Sequence, residues 1–424
     1  MANLNNTKNF DTSIKFDMTI KPKKQPIHLK LLAWILSYSA FITQKQTLEK
    51  IEMDGVKPPY LLLCNHNAFI DFKVTTKAIF PHSANYVVAI DGFIKREKLL
   101  RDVGCICKRK FTNDIVLIKH LIYVIKKLKQ ICIVYPEARY SLVGTASKLP
   151  ESLGKLTKLL DVPVVILTMH GHHISSPVYN LHIRKNPLYA RMKQVLTVKD
   201  VQTKSVDEIN AILEQEFAYD DYKYQLDNHI RITDPNRAKG LEKVLYQCPS
   251  CKTEFQMRSH EHVLTCDACQ KTYEMDEFGA MKARHGITEF THIPDWYNWE
   301  RNFVRTEILQ GNYHIEDDCI VDSLPNADGF IALGEGHFVH TKDGFVLTYQ
   351  ENGVTKVLHK PVVSMESVHI EFDYNNRGDG VDLTTLTDNF YVYFKNLKNV
   401  VTKIHFATEE LYLIKQQELK NKKQ

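Results

Sequence analysis

Short apolar segments alternate with amphipathic segments between about residues 27 and 235. Four of the short segments have polar or Pro/Gly borders and the length of buried strands. They are residues 60–64, 85–90, 131–135 and 162–168. Residues 113–130 instead repeat apolar side chains every three or four positions, with lysines on the remaining face, which predicts a helix. The alternation predicts an α/β domain over residues 27–235, with a mostly parallel sheet flanked by helices.

The pattern changes to short alternating segments in the last part of the chain, residues 311–424. Asp-Gly at 343–344 and Asn-Gly at 352–353 are hairpin turn signals between such segments. Residues 407–420 have the spacing of one amphipathic helix. We therefore expect a β-rich C-terminal domain that ends in a helix. This element order suggests a small barrel of the pleckstrin-homology or GRAM type.

Composition and charge describe an ordinary globular protein with a basic N-terminus. The 424 residues suit about three domains. The net charge is +5, and residues 1–50 alone contain eight lysines against three acidic residues. We expect residues 1–26 to form a basic, polar arm. Such a charge suits an anionic surface, either lipid headgroups or nucleic acid.

The longest apolar segment near the N-terminus, residues 29–42, is too short to cross a bilayer, which takes about 20 apolar residues. It suits either an amphipathic helix in the membrane interface, with Trp34 and Tyr38 at headgroup level, or a helix packed on its own domain. No secretory signal is visible, and nine cysteines suit a reducing compartment. We expect a cytoplasmic protein, peripheral on the inner face of the cell membrane.

Two Cys-x2-Cys turns dominate residues 246–280. Their cysteines are Cys248, Cys251, Cys266 and Cys269. Four thiolates in this spacing predict a closed tetrahedral site for a structural Zn²⁺, with His260 and His262 as competing ligands between the turns. A zinc ribbon can bind nucleic acid, but this one has no basic stripe, so we expect a fold-stabilising or docking module. A connecting helix is predicted next, over residues 294–310.

His66 is the candidate for chemistry in the first domain. It follows an apolar strand-like run and precedes a helix-like one, so we expect it at a strand-to-helix junction, where α/β sheets place their sites. A neutral imidazole can take a proton from a hydroxyl, and Asp71 could hold its other ring nitrogen. Cys64 could in principle be a nucleophile, but a buried position at the strand end is the preferred interpretation.

Four ordered blocks carry a resemblance to a known family. The stretch "NHNAFID" around His66 resembles the Asn-His-x4-Asp motif of the PlsC-like glycerophospholipid acyltransferases. "GCICKRK" at 104–110, "YPEARYS" at 135–141 and "VPVVIL" at 162–167 look like that family's further blocks, in the same order. The resemblance covers residues 27–235, about half the chain.

The resemblance implies an O-acyltransferase of phospholipid biosynthesis. His66 would be the general base and Asp71 its orienting carboxylate, without a covalent acyl-enzyme. The acyl donor would be acyl-CoA or acyl-carrier protein, and the acceptor hydroxyl would belong to a lysophospholipid or glycerol phosphate, foremost 1-acylglycerol-3-phosphate. Partners would be a phospholipid surface and acyl-carrier protein.

The resemblance also implies substrate-binding residues. They are Asn65, Arg109, Lys110, Glu137, Arg139 and Ser141. Two blocks depart from the family pattern: Lys110 stands at the family's Arg position, and Arg139 and Tyr140 stand where the family has Thr and Arg. Positive charge, which a phosphate requires, is kept in both blocks.

Two other function classes stay open at this point. The same His-Asp pair could activate water, which would make the protein a lipid ester hydrolase. Alternatively, the zinc ribbon could belong to a nucleic-acid-binding or protein-binding module without activity.

Overall fold

The structure, a computed structural model, describes residues 12–43 and 45–422. Residues 1–11 of the predicted basic arm therefore lie outside the described residues. The described remainder of the arm is docked on the rest of the chain. The Phe16 N–H donates to the carbonyl of Pro325 at 2.9 Å, and its ring lies edge-on to Phe93 with centroids 5.4 Å apart.

A mixed α/β sheet with flanking helices forms the first part of the fold. Its elements are α1 (Ile27–Thr43), β1 (Gln46–Ile51), β2 (Leu61–Cys64), α2 (Asp71–Ile79), β3 (Ala84–Ala89), α3 (Ile90–Phe93), α4 (Glu97–Asp102), β4 (Ile106–Lys108), α5 (Ile115–Tyr123), β5 (Ile131–Val134), α6 (Ser152–Leu160), β6 (Val164–His170), α7 (His172–Ser175), β7 (Leu188–Leu196), α8 (Val198–Thr203), α9 (Val206–Phe217) and α10 (Asp221–Asp227). The described strands pair in the order β1-β7-β6-β2-β5-β3-β4. All neighbours are parallel except β6 and β7, as the alternation predicted.

The four predicted strands are β2, β3, β5 and β6, each within two residues of its predicted ends. The predicted helix over 113–130 begins later, because the Asp114 side chain caps the N–H groups of Val116 and Leu117. It ends in a π-helical turn, Val124–Leu128. Strands β1, β4 and β7 were not predicted.

The centre of this sheet is buried on both faces, as parallel sheets usually are. Every residue of β2 is buried, and two separate apolar clusters cover the two sides of the sheet. Because β2, β5 and β6 are parallel, their carboxyl ends meet at one edge. The residues that follow those ends, His66, Tyr135 and His172, are thereby brought to that edge.

Antiparallel sheets and a final helix form the rest of the chain. The elements are β8 (Met257–His260), β9 (Val263–Cys266), β10 (Thr272–Met275), β11 (Met281–Ala283), α11 (Ile293–Leu309), β12 (Ile315–Ser323), β13 (Ile331–Thr341), β14 (Gly344–Glu351), β15 (Val354–Pro361), β16 (His369–Glu371), β17 (Gly380–Thr384), β18 (Asn389–Phe394) and α12 (Val401–Asn421). Strands β8 to β11 form a small meander. The larger sheet has the order β15-β14-β13-β12-β18-β17-β16, in which β12 pairs with β18.

Helix α12 is buried over its first half and packs against α11. Within the described residues, none of the helices is long and apolar enough to cross a membrane.

Candidate functional site

His66 lies in the loop after β2, and Asp71 is the first residue of α2. The His66 Nδ1 atom is 3.0 Å from Asp71 Oδ2. The same oxygen accepts the backbone N–H groups of Asn67 and Ala68, at 2.6 Å and 3.0 Å, so the loop closes around the carboxylate. Asp71 is fully buried, whereas the His66 side chain keeps 22% of its surface exposed. With Nδ1 facing a carboxylate, Nε2 is the ring nitrogen left to accept a proton.

The second oxygen of Asp71 contacts another histidine, which the sequence pattern did not single out. His172 Nδ1, in α7, is 2.6 Å from Asp71 Oδ1, and His172 Nε2 is 3.1 Å from Gln46 Oε1 in β1. Burial alone would raise the pKa of Asp71, but the hydrogen bonds from His172 and His66 outweigh it and lower that pKa to about 2. The carboxylate is therefore ionised at neutral pH. A sequence signal existed, since "HGHH" at 170–173 begins at the last residue of a strand, β6.

Glu137 and Ser141, two of the predicted substrate-binding residues, contact the backbone of His66. Glu137 Oε2 accepts the His66 N–H at 3.2 Å, and Oε1 accepts the Ser147 N–H at 2.7 Å. The Ser141 N–H donates to the His66 carbonyl at 2.7 Å. Burial raises the pKa of Glu137 to about 7, although both N–H donors oppose this. The first and third sequence blocks are thus joined at His66.

Asn65 is buried and makes a two-way hydrogen bond with the backbone of β6. Its Nδ2 donates to the Met169 carbonyl and its Oδ1 accepts the Met169 N–H, both at 2.8 Å. These bonds continue the β2–β6 pairing beyond the end of β2. Cys64, the alternative nucleophile, is also buried, and burial raises the pKa of its thiol, which disfavours the reactive thiolate.

Two tyrosines flank the imidazole of His66. The ring centroids of Tyr135 and Tyr140 lie 4.3 Å and 4.2 Å from that of His66. Tyr140 occupies the position where the family pattern has an arginine. The residues around His66 therefore combine an oriented base with an aromatic wall, which suits proton abstraction from a hydroxyl held in a partly desolvated site.

The cations of the second and third blocks are paired with residues other than His66. Arg139 Nη1 donates to Ser367 Oγ at 2.6 Å and forms an ion pair with Glu409 at 2.8 Å. Lys110 Nζ lies 3.7 Å from Asp91 Oδ2. Arg139 Nη1 is therefore engaged by the β-rich region, whereas its Nη2 donates to Ser147 Oγ at 3.2 Å.

Arg109 is 1% exposed and makes similar contacts. Its Nη1 donates to the Leu324 carbonyl at 3.0 Å and to Asn389 Oδ1 at 2.6 Å, and its Nη2 donates to the Pro325 carbonyl at 2.7 Å. All of these acceptors belong to the β-rich region. Arg109 thus joins β4 to β18 and the loop after β12.

The four predicted metal ligands meet at one point. The sulfur of Cys248 lies 3.7 Å from that of Cys269, and the sulfur of Cys251 lies 3.7 Å from that of Cys266. All four Sγ atoms lie within 4.8 Å of one another. This arrangement is compatible with a structural metal site. His260 and His262 are not among the grouped residues.

No family model matches the chain, and no curated protein matches it. Among solved structures, the chain is similar to the crystal structure of the 1-acyl-sn-glycerophosphate (LPA) acyltransferase PlsC from Thermotoga maritima. The match has a TM-score of 0.38 and 12% identity, and covers 45% of this chain and 77% of that one. The likeness is weak in both sequence and structure.

Proposed function

We propose that this chain is an O-acyltransferase. It would move a fatty acyl group from an acyl thioester, acyl-CoA or acyl-carrier protein, to the hydroxyl of a lysophospholipid or glycerol phosphate, foremost 1-acylglycerol-3-phosphate. The observation that carries the proposal is the His66–Asp71 pair, with Nδ1 of a partly exposed imidazole held 3.0 Å from a buried carboxylate.

His66 Nε2 takes the proton of the acceptor hydroxyl as its oxygen attacks the thioester carbonyl. The tetrahedral intermediate then expels the thiolate, which receives the proton from the imidazolium. Asp71 stabilises the imidazolium between these steps, since its carboxylate is ionised throughout. No protein nucleophile is needed, because a thiolate is a good leaving group.

We propose that three residues support substrate binding indirectly, by fixing the His66 loop to β6 and to the third block. They are Asn65, Glu137 and Ser141. For Arg109, Lys110 and Arg139 we retain a role at the acceptor phosphate, on the basis of their place in the sequence blocks. A phosphate would have to compete with Glu409 for Arg139 and with Asp91 for Lys110.

We propose that the cysteine cluster holds a structural Zn²⁺. Zn–S bonds of about 2.3 Å in a tetrahedron place sulfur atoms about 3.8 Å apart. The two Sγ–Sγ distances of 3.7 Å agree with this value. Four thiolates leave no open coordination position, which suits a structural role.

The membrane partner is proposed from the exposed face of α1. This helix packs on α2 through Trp34, whose ring stacks on Phe80 with centroids 4.6 Å apart. Its outer face exposes Ile27, Leu31, Leu32, Ile35 and Leu36. Phe69 and Phe72, also exposed, lie beside Asp71 in the chain. Exposed apolar side chains of this kind suit peripheral docking on the inner face of the cell membrane.

The domain organisation is likewise a proposal. It comprises an acyltransferase domain over 27–235, a zinc ribbon over 246–280, a connecting helix over 294–310 and a β-rich domain over 311–424. Seven antiparallel strands followed by a helix support a barrel of the pleckstrin-homology or GRAM type. The β-rich domain contacts Arg109 and Arg139, which favours the acyltransferase domain as the partner of the β-rich domain.

The deciding experiment supplies purified protein with labelled acyl thioesters and a panel of lysophospholipids. Label in phospholipid is the expected product, whereas label in free fatty acid would identify a hydrolase instead. His66→Ala should abolish transfer with unchanged circular dichroism. The matched control His359→Ala changes an exposed histidine of β15 and should retain activity. Near-normal transfer by His66→Ala would refute the assignment of the base.

A further inference from the structure

A second group of potential metal ligands lies where β16 and β17 meet. His369 and Asp382 are directly opposite in the β16–β17 register, and Glu371 stands two positions after His369. Because side chains two apart in a strand share a face, all three side chains lie on the same side of the sheet. One ligand atom from each of them falls within 4.8 Å of the others.

Asp382 is 2% exposed. Neither of its carboxylate oxygens has a hydrogen-bond partner of ordinary geometry among the described residues, although the Tyr391 side chain lies close enough to act on it. His369 is buried as well. Its Nε2 lies 2.9 Å from Glu371 Oε1, but its Nδ1 has no such partner. A buried carboxylate without donors is unfavourable unless a cation neutralises it. The unpartnered oxygens thus point to a ligand.

Lys110 and Arg377 lie near the group. The carboxylates of Asp91, Glu371 and Asp382 attract the ammonium group of Lys110. Arg377 is paired with Asp322. A bound metal ion would share Glu371 and Asp382 with Lys110.

We propose that His369, Glu371 and Asp382 form a binding site for one divalent transition-metal cation, separate from the cysteine cluster. Metal–ligand bonds of about 2.0–2.2 Å to nitrogen and oxygen require the ligand atoms to approach within about 4 Å, a small adjustment from their present positions. One imidazole and two carboxylates suit Mn²⁺ or Zn²⁺, whereas four thiolates select softer ions. Three protein ligands leave coordination positions open.

The site would place a cation near the proposed acyltransferase centre. Asp91 and Glu371 both act on Tyr140, whose ring packs on His66. The inference itself rests on the ligand group and not on the proposed acyl transfer.

Mn²⁺ is the probe, because it prefers oxygen and nitrogen ligands to the thiolates of the cysteine cluster. The full-length protein is titrated with MnCl₂, and free Mn²⁺ is measured by electron paramagnetic resonance. We expect one bound Mn²⁺ per chain. Asp382→Asn and His369→Gln should each weaken binding by at least tenfold.

His337→Gln is the matched control. His337 is an exposed histidine that also lies between two carboxylates, 2.8 Å from Glu316 and 3.0 Å from Asp318. It should retain full Mn²⁺ binding. If His337→Gln loses binding while Asp382→Asn keeps it, the cation sits at the exposed cluster and the proposal is wrong.

Melting curves give a second measurement that also controls for folding. Mn²⁺ should raise the melting temperature of the wild type and of His337→Gln but not of Asp382→Asn, because a ligand stabilises only the state that binds it. Without metal, Asp382→Asn should melt no lower than the wild type, since it removes a buried carboxylate that lacks partners. Absence of Mn²⁺ binding or of any Mn²⁺-induced shift in the wild type would overturn the proposal.

Discussion

Asp71 and His172 are joined across the site by a 2.6 Å contact between Oδ1 and Nδ1, on the carboxylate oxygen that His66 does not use. One buried carboxylate thus orients two imidazoles. Through His172 the contact continues to Gln46, so strand β1 takes part in fixing the position of the base. His172 is therefore a positioning residue for the proposed reaction.

Replacement of His172 tests this role. His172→Ala removes one donor from Asp71 and should lower kcat for acyl transfer by about 10- to 100-fold, because small displacements of a base are costly. His172→Asn keeps a donor near the Nδ1 position and should recover part of the rate. Steady-state kinetics of the two variants check this. Equal loss in both would indicate that His172 only fills space.

Asp71→Asn should lower acyl transfer by about 10⁴-fold, as in Ser-His-Asp enzymes, where the amide favours the wrong imidazole tautomer. The matched control is Asp207→Asn, which changes an exposed aspartate that also lies in the first turn of a helix. Kinetics with circular dichroism distinguish catalysis from folding. A folded Asp71→Asn protein with wild-type kcat would contradict the proposed mechanism.

Glu137 should make stability fall with rising pH. Its pKa is about 7 in the folded protein against an ordinary value of 4.5, so the folded state binds more protons than the unfolded state between these values. The free energy of unfolding, relative to that of Glu137→Gln, should therefore decrease as pH rises from 4.5 through 7. Urea unfolding over this range measures it, with the exposed Glu214→Gln as control. A difference that stays constant with pH would show that Glu137 is ionised throughout.

Cys248→Ser should lose the metal of the cysteine cluster and lower the melting temperature by several degrees. Cys319→Ser is the control, since Cys319 is buried in β12, away from the cluster, and its loss should leave the metal content unchanged. Elemental analysis and calorimetry provide the two measurements. Below the melting temperature, KM and kcat should stay normal. Loss of kcat without unfolding would make the metal catalytic.

Arg139→Ala should destabilise the protein by about 1–3 kcal/mol, because it removes hydrogen bonds to Ser367 and Glu409, although Glu409 keeps Arg301 at 2.7 Å. It should also raise KM for a phosphorylated acceptor more than KM for the acyl donor. Arg231→Ala removes an exposed Arg–Glu pair and should change stability by less than about 1 kcal/mol. Unfolding and kinetic measurements check both effects. Equal changes in the two KM values would restrict Arg139 to joining the two regions.

Local patterns were sufficient for the buried strands and for the cysteine cluster. Strands β2, β5 and β6 are short apolar runs with clear borders, and the two Cys-x2-Cys turns bring their thiolates together by spacing alone. Strand β7 was missed because its residues alternate between buried and half-exposed, and its partners are far apart in the chain. Pairing of that kind is decided by the whole fold.

In the candidate site, too, contacts between residues close in sequence could be predicted, whereas contacts between distant residues could not. His66 and Asp71 are five positions apart, so the sequence could suggest their pairing. His172 is 101 positions from Asp71, and nothing local indicates that α7 brings it to the same carboxylate. The partners of Arg139 could not be predicted from local sequence either, since Glu409 is 270 positions away. The positive charge of Arg139 within its sequence block indicated a binding role. Which side chains Arg139 actually contacts depends on how the α/β region and the β-rich region pack together.

The bonds of Arg109 also constrain how the chain can change during evolution. Arg109 is separated from Asn389 by 280 positions and from Leu324 by 215. A relative that loses the arginine leaves three oxygen acceptors without their donor, so positions 109 and 389 should vary together. Exchange of the C-terminal region between relatives should then succeed only when the arginine and its acceptors are inherited as a set.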